Sequence, residues 1–141
     1  MKKALVVLLA IAMIFTFATA TIAADYSDMA NTSKATQDAV NRLSGLGVID
    51  GYTDGTFGPD NNIRRDEFAK IAAIAAGFGA SADAMKNQET GYTDAAAGIW
   101  STGYINIASA QGYMKGVGNG AFNPAANITN AEVLTTVLRM Y

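Results

Sequence analysis

Residues 47–59 read Gly-Val-Ile-Asp-Gly-Tyr-Thr-Asp-Gly-Thr-Phe-Gly-Pro, and residues 112–124 read Gly-Tyr-Met-Lys-Gly-Val-Gly-Asn-Gly-Ala-Phe-Asn-Pro. When the two segments are aligned from their first residues, three glycines, the phenylalanine and the proline fall at the same positions. Glycine and proline fix backbone turns, and a phenylalanine at the exit of such a turn is a candidate for the core. The two segments therefore indicate a structural repeat built around a tight, glycine-rich loop.

The repeat extends well beyond the loop. Between residues 47–73 and residues 112–138, eight of 27 positions are identical. The pairs are Gly47/Gly112, Gly51/Gly116, Gly55/Gly120, Phe57/Phe122, Pro59/Pro124, Asn62/Asn127, Ile63/Ile128 and Glu67/Glu132. Upstream, the sequence Tyr-Ser-Asp at 26–28 matches Tyr-Thr-Asp at 92–94. The sequence therefore predicts two tandem units, residues 25–78 and 92–141, joined by a linker at residues 79–91.

Each unit has the pattern helix, loop, helix, which predicts a mostly α fold. Apolar residues recur at helical spacing on both sides of each loop, and residues that start or stop helices flank them. The predicted helices run from Thr32 or Ser33 to about Leu46, from about Arg65 to Ala76, from about Trp100 to Ala110, and onward from the capping box at 129–132, with room for a short linker helix from Ser81. Phe57 and Phe122 are each predicted to fill the space between the two helices of their own unit.

The chain begins with the layout of a secretory signal peptide, from Met1 to Ala24. Two lysines give a positive start, residues 4–17 are apolar except for one threonine, and small residues follow as far as Ala24. Cleavage after Ala20 or Ala24 fits this layout, and Ala24 is preferred because the chain turns polar there. An uncleaved membrane anchor is the alternative, since residues 4–24 are just long enough to span a bilayer. We expect an exported protein with no membrane span after cleavage.

Composition argues against several classes of function. The chain has no cysteine and no histidine, so it offers no disulfide, no thiolate or imidazole metal ligand and no Ser–His or Cys–His catalytic pair. Its net charge of −2 does not suit a nucleic-acid partner, which requires a basic surface. An envelope hydrolase would need paired carboxylates in a cleft, and no such pair stands out. We therefore expect neither an enzyme nor a bound cofactor.

The combined motif resembles the S-layer homology domain. That family has an acidic start, an aromatic residue that opens its first helix, a glycine-rich Asp-Gly-Thr-Phe-x-Pro loop and an Ile-Thr-Arg-Ala-Glu motif. This chain has Trp100, the two loops, Ile-Arg-Arg-Asp-Glu at 63–67 and Ile-Thr-Asn-Ala-Glu at 128–132. The resemblance covers residues 26–141. It implies tandem helix-loop-helix repeats, usually three around a pseudo-threefold axis, with sugar sites in the grooves between repeats.

The resemblance also implies non-covalent anchoring. Such domains bind the secondary cell-wall polysaccharide of bacteria, often a pyruvate-bearing sugar, and hold surface proteins on the envelope. The expected location is therefore outside the cell, in the cell wall or S-layer. One alternative is a structural subunit of a surface array. A calcium-binding module that uses Asp50, Asp54 and Asp60 is a weaker alternative, because aspartates also form turns.

Arg65 is the residue that the resemblance assigns to an anionic sugar. A guanidinium offers paired donors that match a carboxylate, and a helix start adds free N–H groups. Arg64 lies beside it, and the alternative is that both are solvated side chains at a helix start. The second repeat has Asn130 at this position, which can hydrogen-bond a sugar but cannot form an ion pair. We therefore expect Arg65→Ala to weaken wall binding more than Asn130→Ala.

The family's acidic start, loop and first helix supply the remaining candidates for polysaccharide binding. These are Asp28, Gly51, Asp54, Gly55 and Trp100. A tryptophan can stack on a sugar, although burial in the core is the usual position of a large aromatic.

Two repeats leave the threefold arrangement of the family incomplete. We therefore expect either a further repeat or self-association, through exposed apolar sides around Ile105, Val137 and Tyr141. This expectation follows the rule that the apolar faces of terminal repeats are normally covered.

Overall fold

The computed structural model describes residues 25–141, and the predicted signal peptide lies outside them. The described chain forms five helices and, apart from isolated β-bridges, no β-structure. The helices are α1 (Lys34–Gly45), α2 (Arg65–Ala75), α3 (Gly79–Met85), α4 (Thr102–Ala110) and α5 (Asn130–Met140). Two helix-loop-helix units, α1–α2 and α4–α5, are thereby confirmed, and the predicted linker contains α3. None of these helices is both long and apolar enough to cross a membrane.

Local capping sets the helix starts. The Ser33 hydroxyl accepts a hydrogen bond from the Thr36 amide at the start of α1. At α5, Thr129 and Glu132 form the predicted capping box. At α2 the Glu67 carboxylate accepts from the Arg64 amide at 2.8 Å, but arginine supplies no acceptor for the other half of the box. The Glu67 amide, which the side chain of an N-cap serine or threonine would otherwise accept from, donates instead to the Asp66 carboxylate at 2.9 Å.

The core lies between the repeats, around α4. This helix packs against both α2 and α3. The main buried cluster contains Ala69, Ala95, Ile105, Ala108, Met114 and Phe122. Ile105 is completely buried, so its predicted place on an exposed, self-associating side is wrong: α2 covers that face of α4.

Backbone bonds join the two repeats directly. The Arg65 amide donates to the Ala126 carbonyl at 2.9 Å, and the Asp66 amide donates to the Pro124 carbonyl at 3.0 Å. The Ile128 amide donates to the Ile63 carbonyl at 3.0 Å, beside an isolated antiparallel bridge. The start of α2 is therefore held by the loop of the second repeat.

Helix α1 has no such neighbour in the described chain. It contacts none of the other four helices, Val40 is its buried residue, and its Ser44 hydroxyl is hydrogen-bonded to the Tyr26 hydroxyl. Leu43 and Leu46 on its predicted apolar side are exposed. Helix α5 likewise exposes Leu134 and Leu138, because no element of residues 25–141 covers them.

Candidate functional site

An aspartate fixes each glycine loop from outside. The two carboxylate oxygens of Asp28 accept from the amides of Phe57 (2.9 Å) and Gly58 (2.7 Å). Asp94 does the same for Phe122 and Asn123, both at 2.8 Å. These backbone hydrogen bonds lower the pKa of both aspartates. The structure therefore places Asp28, a predicted site residue, as a clamp on its loop.

The other loop candidates shape the backbone. Gly51 has φ +58°, and a Cβ there would lie 2.4 Å from the Tyr26 ring. Gly55 has φ +83°, in the left-handed region that favours glycine. Asp54 accepts from the amide and hydroxyl of Thr56, and the hydroxyl bond is the main cause of its lowered pKa. Gly51, Gly55 and Asp54 therefore set the backbone shape of the first loop.

Arg65 lies in the interior, between the repeats. Only 4% of the residue is exposed. Its Nε donates to the Phe122 carbonyl and its Nη2 to the Lys115 carbonyl, both at 2.9 Å, and its Nη1 is ion-paired with Glu132. The guanidinium carbon also lies 4.9 Å from the centre of the Phe122 ring. Three of its five N–H groups are thus used within the protein.

Arg64 and Asn130 lie apart from this contact. Arg64 is ion-paired with Asp66 at 2.6 Å, and burial raises the pKa of that aspartate. The alternative that both arginines are freely solvated is therefore wrong. Asn130 is exposed at the first position of α5.

One groove lies beside Arg65, and we call it the basic groove. It encloses about 250 Å³, and its charged lining consists of Arg65, Lys115, Glu132 and Arg139. Lys115 and Arg139 are exposed, and neither was a sequence candidate. A signal for Arg139 exists, because it lies two helical turns after Glu132 and therefore on the same side of α5. No motif singles out Lys115, since the first repeat has Asp50 there.

A second groove, of about 380 Å³, lies on the loop of the first repeat, and we call it the first-repeat groove. Its wall includes Gly51, Phe57, Lys70 and Trp100. The Trp100 side chain belongs to the start of the second repeat and is 52% exposed, so burial in the core, the usual position of tryptophan, is wrong here. The structure thus brings Gly51 and Trp100 together in one groove and places Arg65 in the other.

Two of the three aspartates of the calcium alternative serve other contacts. Asp50 is ion-paired with Lys70, and Asp54 caps its turn through Thr56. Within residues 25–141 no three acidic, histidine or cysteine side chains are close enough together to hold a metal ion.

Comparison with known proteins matches this architecture. The profile of the S-layer homology domain matches residues 25–69 and 91–134. The chain is 35% identical to a surface layer protein of Brevibacillus choshinensis, over 99% of this chain and 12% of that protein. It is also 35% identical to the middle cell wall protein of Brevibacillus brevis, over 99% of this chain and 13% of that protein.

A third relative is named for anchoring. The cellulosome-anchoring protein of Acetivibrio thermocellus is 32% identical, over 72% of this chain and 22% of that protein. The chain thus spans about an eighth of the length of the two Brevibacillus relatives. Each matched segment runs from the start of one helix-loop-helix unit into its second helix, and the chain belongs to the S-layer homology domain family.

Proposed function

We propose that the chain anchors itself to the bacterial envelope by binding the secondary cell-wall polysaccharide through anionic groups, such as pyruvate ketals, in the basic groove. The protein is secreted and lies in the cell wall or S-layer, as the family and its surface-layer and cell-wall relatives indicate. The role is adhesive and structural, without catalysis.

The balance of charge in the basic groove carries the proposal. Three cationic side chains, Arg65, Lys115 and Arg139, face one carboxylate, Glu132. Arg65 already neutralises that carboxylate through an ion pair. Lys115 and Arg139 therefore present uncompensated positive charge to a groove, in a chain whose net charge is −2. A carboxylate-bearing sugar supplies the matching charge.

The other candidates take supporting roles in this proposal. The two remaining N–H groups of Arg65 donate to the ligand at the base of the basic groove. Asp28, Gly51, Asp54 and Gly55 hold the first loop, and Arg64 and Asn130 contact outlying parts of the polymer. Trp100 offers its exposed ring face to neutral sugars at the first-repeat groove.

Binding to purified sacculi tests the proposal. We expect Lys115→Gln/Arg139→Gln to lower affinity at least about tenfold, because charge-assisted hydrogen bonds are lost. The matched control is Arg42→Gln/Lys86→Gln, which removes the same charge from exposed positions outside the groove. Removal of the wall polysaccharide should abolish binding by every variant. Equal loss in both double variants would point to net charge alone and would overturn the assignment of the groove.

A second candidate function is a structural subunit of a surface array. It is supported by the exposed apolar side of α5 and by the surface-layer relative. Sheets or filaments of purified protein in electron microscopy would favour it. Dispersed particles that still bind sacculi would favour anchoring alone.

A further inference from the structure

The tip of the second glycine loop is a two-residue turn formed by Asn119 and Gly120. Both residues have positive φ, +51° and +74°, and the Ala121 amide donates to the Gly118 carbonyl at 2.9 Å. This is the geometry of a type I′ turn, for which Asn-Gly is a preferred pair. Both residues of the turn are exposed. The sequence contains this one Asn-Gly pair, so chemistry that is particular to the pair is confined to this turn.

The peptide group that joins these two residues makes no backbone hydrogen bond within residues 25–141. Its carbonyl, from Asn119, accepts none, and its amide, from Gly120, donates none. The neighbouring peptide groups are held instead, and the Gly120 carbonyl accepts from the Thr93 amide at 2.9 Å. The free peptide group can therefore rotate without the loss of a backbone hydrogen bond, and such local rearrangement of an exposed turn costs little free energy.

The first loop differs at the equivalent position, where Asp54 and Gly55 form the pair. There the Gly55 amide donates to the Tyr52 carbonyl at 3.1 Å. The Asp54 side chain accepts from both the amide and the hydroxyl of Thr56. The glycine amide and the side chain before it are thus both held in the first loop, whereas the glycine amide of the second loop is free.

A free amide after an asparagine is a nucleophile for the side-chain carbonyl carbon. The Gly120 nitrogen gives its proton to hydroxide and bonds to Cγ of Asn119. The side-chain nitrogen then takes a proton from water and leaves as ammonia, which closes a succinimide ring. Water opens the ring at Cγ to give aspartate, or at the backbone carbonyl to give isoaspartate. Glycine has no Cβ to obstruct the attack.

The other asparagine with positive φ cannot follow this route. Asn123 has φ +58°, but the next residue is Pro124, whose nitrogen has no proton to lose. The reaction therefore singles out the tip of the second loop.

We propose that Asn119 is a site of spontaneous deamidation in the folded chain. Water is the co-reactant, and the unbonded Gly120 amide supplies the nucleophile. The reaction gives the second loop an acidic residue at the position where the first loop has Asp54. The loop thereby changes from a neutral to a negatively charged form as the protein ages.

The isoaspartate product lengthens the backbone by one carbon inside the turn. The carbonyls of Lys115 and Phe122, which accept from Arg65, lie on the two arms of this loop. The Val117 amide joins the arms by donating to the Ala121 carbonyl at 2.8 Å. A longer turn disturbs this pairing, so isoaspartate at position 119 should loosen the contact between the repeats.

Peptide mapping of the full mature chain after incubation at mildly alkaline pH tests the proposal. Mass spectrometry detects a gain of about one dalton for each converted asparagine. We expect Asn119 to react at least about tenfold faster than Asn130, which is exposed but is followed by alanine. Folding should slow the reaction of Asn119 by less than about tenfold, relative to the chain unfolded in urea. Greater slowing would show that the loop protects this residue and would overturn the proposal.

Asp54→Asn is the matched control, because it places the same dipeptide where the glycine amide is hydrogen-bonded. Position 54 should react at least about tenfold more slowly than Asn119 in the same molecule. Equal rates would overturn the role of the free amide, and with it the proposal. If this variant fails to fold, the comparison of the folded and unfolded natural chain decides the question.

The structural consequence is measured on the separated products. The isoaspartate fraction should unfold at a lower urea concentration than the unreacted chain. Equal midpoints for the two fractions would show that the turn accommodates the extra carbon, and they would overturn the predicted loosening of the contact between the repeats.

Discussion

Arg65 shows how far a motif can identify a residue without identifying its surroundings. The sequence marks this arginine as a receptor for an anion, and it does line a groove. The sequence does not reveal that Glu132, in the other repeat, is its ion-pair partner. That partner depends on how the repeats pack, which no local pattern encodes. Lys115 was missed for the same reason, whereas Arg139 could have been found from its helical spacing to Glu132.

We expect Arg65→Ala to lower the free energy of unfolding by about 1.5–3 kcal/mol, because it removes hydrogen bonds between a charged group and buried acceptors. This loss is smaller than the one expected when a fully buried ion pair is broken, because the Glu132 side chain is partly exposed to water. Urea unfolding measures it, with Asn130→Ala, at an exposed position, as the control. Wall binding should also weaken more for Arg65→Ala, when compared at a temperature where both variants are folded. Equal stability of the two variants would show that the inter-repeat contact contributes little.

Acid should destabilise the fold through the two loop clamps. The pKa values of Asp28 and Asp94 lie below their ordinary value of 3.8, so their contribution is present above that value. It is lost as the pH falls through the lower, folded-state pKa. The melting temperature should fall steeply as the pH is lowered from about 5 to about 2. The variant Asp94→Asn should show a smaller fall, because one of the two clamps no longer titrates. Asp60→Asn, in an exposed turn, should leave the slope unchanged.

At the scale of the element, helix positions were predictable because their signals are local. Ser33 and the box at 129–132 start their helices as predicted, and α4 begins just after Trp100. The element against which each apolar helix face packs was not predictable. Helical spacing marks Leu46 and Leu138 as apolar-face residues, but both are exposed, because no element of residues 25–141 covers them. Helical periodicity indicates that one face of a helix is apolar, but that face is buried only if another element packs against it.

Gly103 permits the close crossing of α3 and α4. A Cβ at this position would lie 1.8 Å from the Ala82 carbonyl oxygen, a backbone atom that cannot rotate away. We expect Gly103→Ala to destabilise the fold by at least about 1–3 kcal/mol. Gly79→Ala is the control, since its nearest contact would be an ordinary 3.7 Å. Similar melting temperatures for the two variants would contradict the close packing.

The two loop phenylalanines should differ in their contribution to stability. Phe122→Ala should cost about 3–5 kcal/mol, because its ring is completely buried. Phe57→Ala should cost roughly half as much, since part of its ring already contacts water. Chemical denaturation of both variants provides the comparison. Equal losses would mean that the first-repeat groove is covered in solution.

At the scale of the whole molecule, the order of the two repeats was evident from the sequence, whereas their different surroundings were not. The nearly constant offset between the matched positions, 65 residues for the eight identical pairs and 66 for the Tyr-Ser/Thr-Asp segments, predicts two similar units. In the structure one loop receives an arginine and the other is open, although both are built alike. Chain connectivity creates this difference, because the second repeat has a predecessor within the described chain and the first does not.

Export should leave a chain that begins near Asp25. The basic start, apolar stretch and small-residue end predict cleavage after Ala24. Intact-mass measurement of protein recovered from the medium or the wall tests this. Material that retains Met1 in the envelope fraction would instead establish an uncleaved anchor.

The backbone hydrogen bonds that join the two repeats have a mechanical consequence. Residues 63–66 share three backbone hydrogen bonds with residues 124–128, and the ion pair of Arg65 lies beside them. A protein that holds a load on a cell surface is pulled whenever the medium flows. Because these bonds lie side by side along one short seam, tension that separates the repeats strains them together rather than one after another. The joint should therefore yield abruptly at a single force, and below that force the two repeats should bear load as one rigid body.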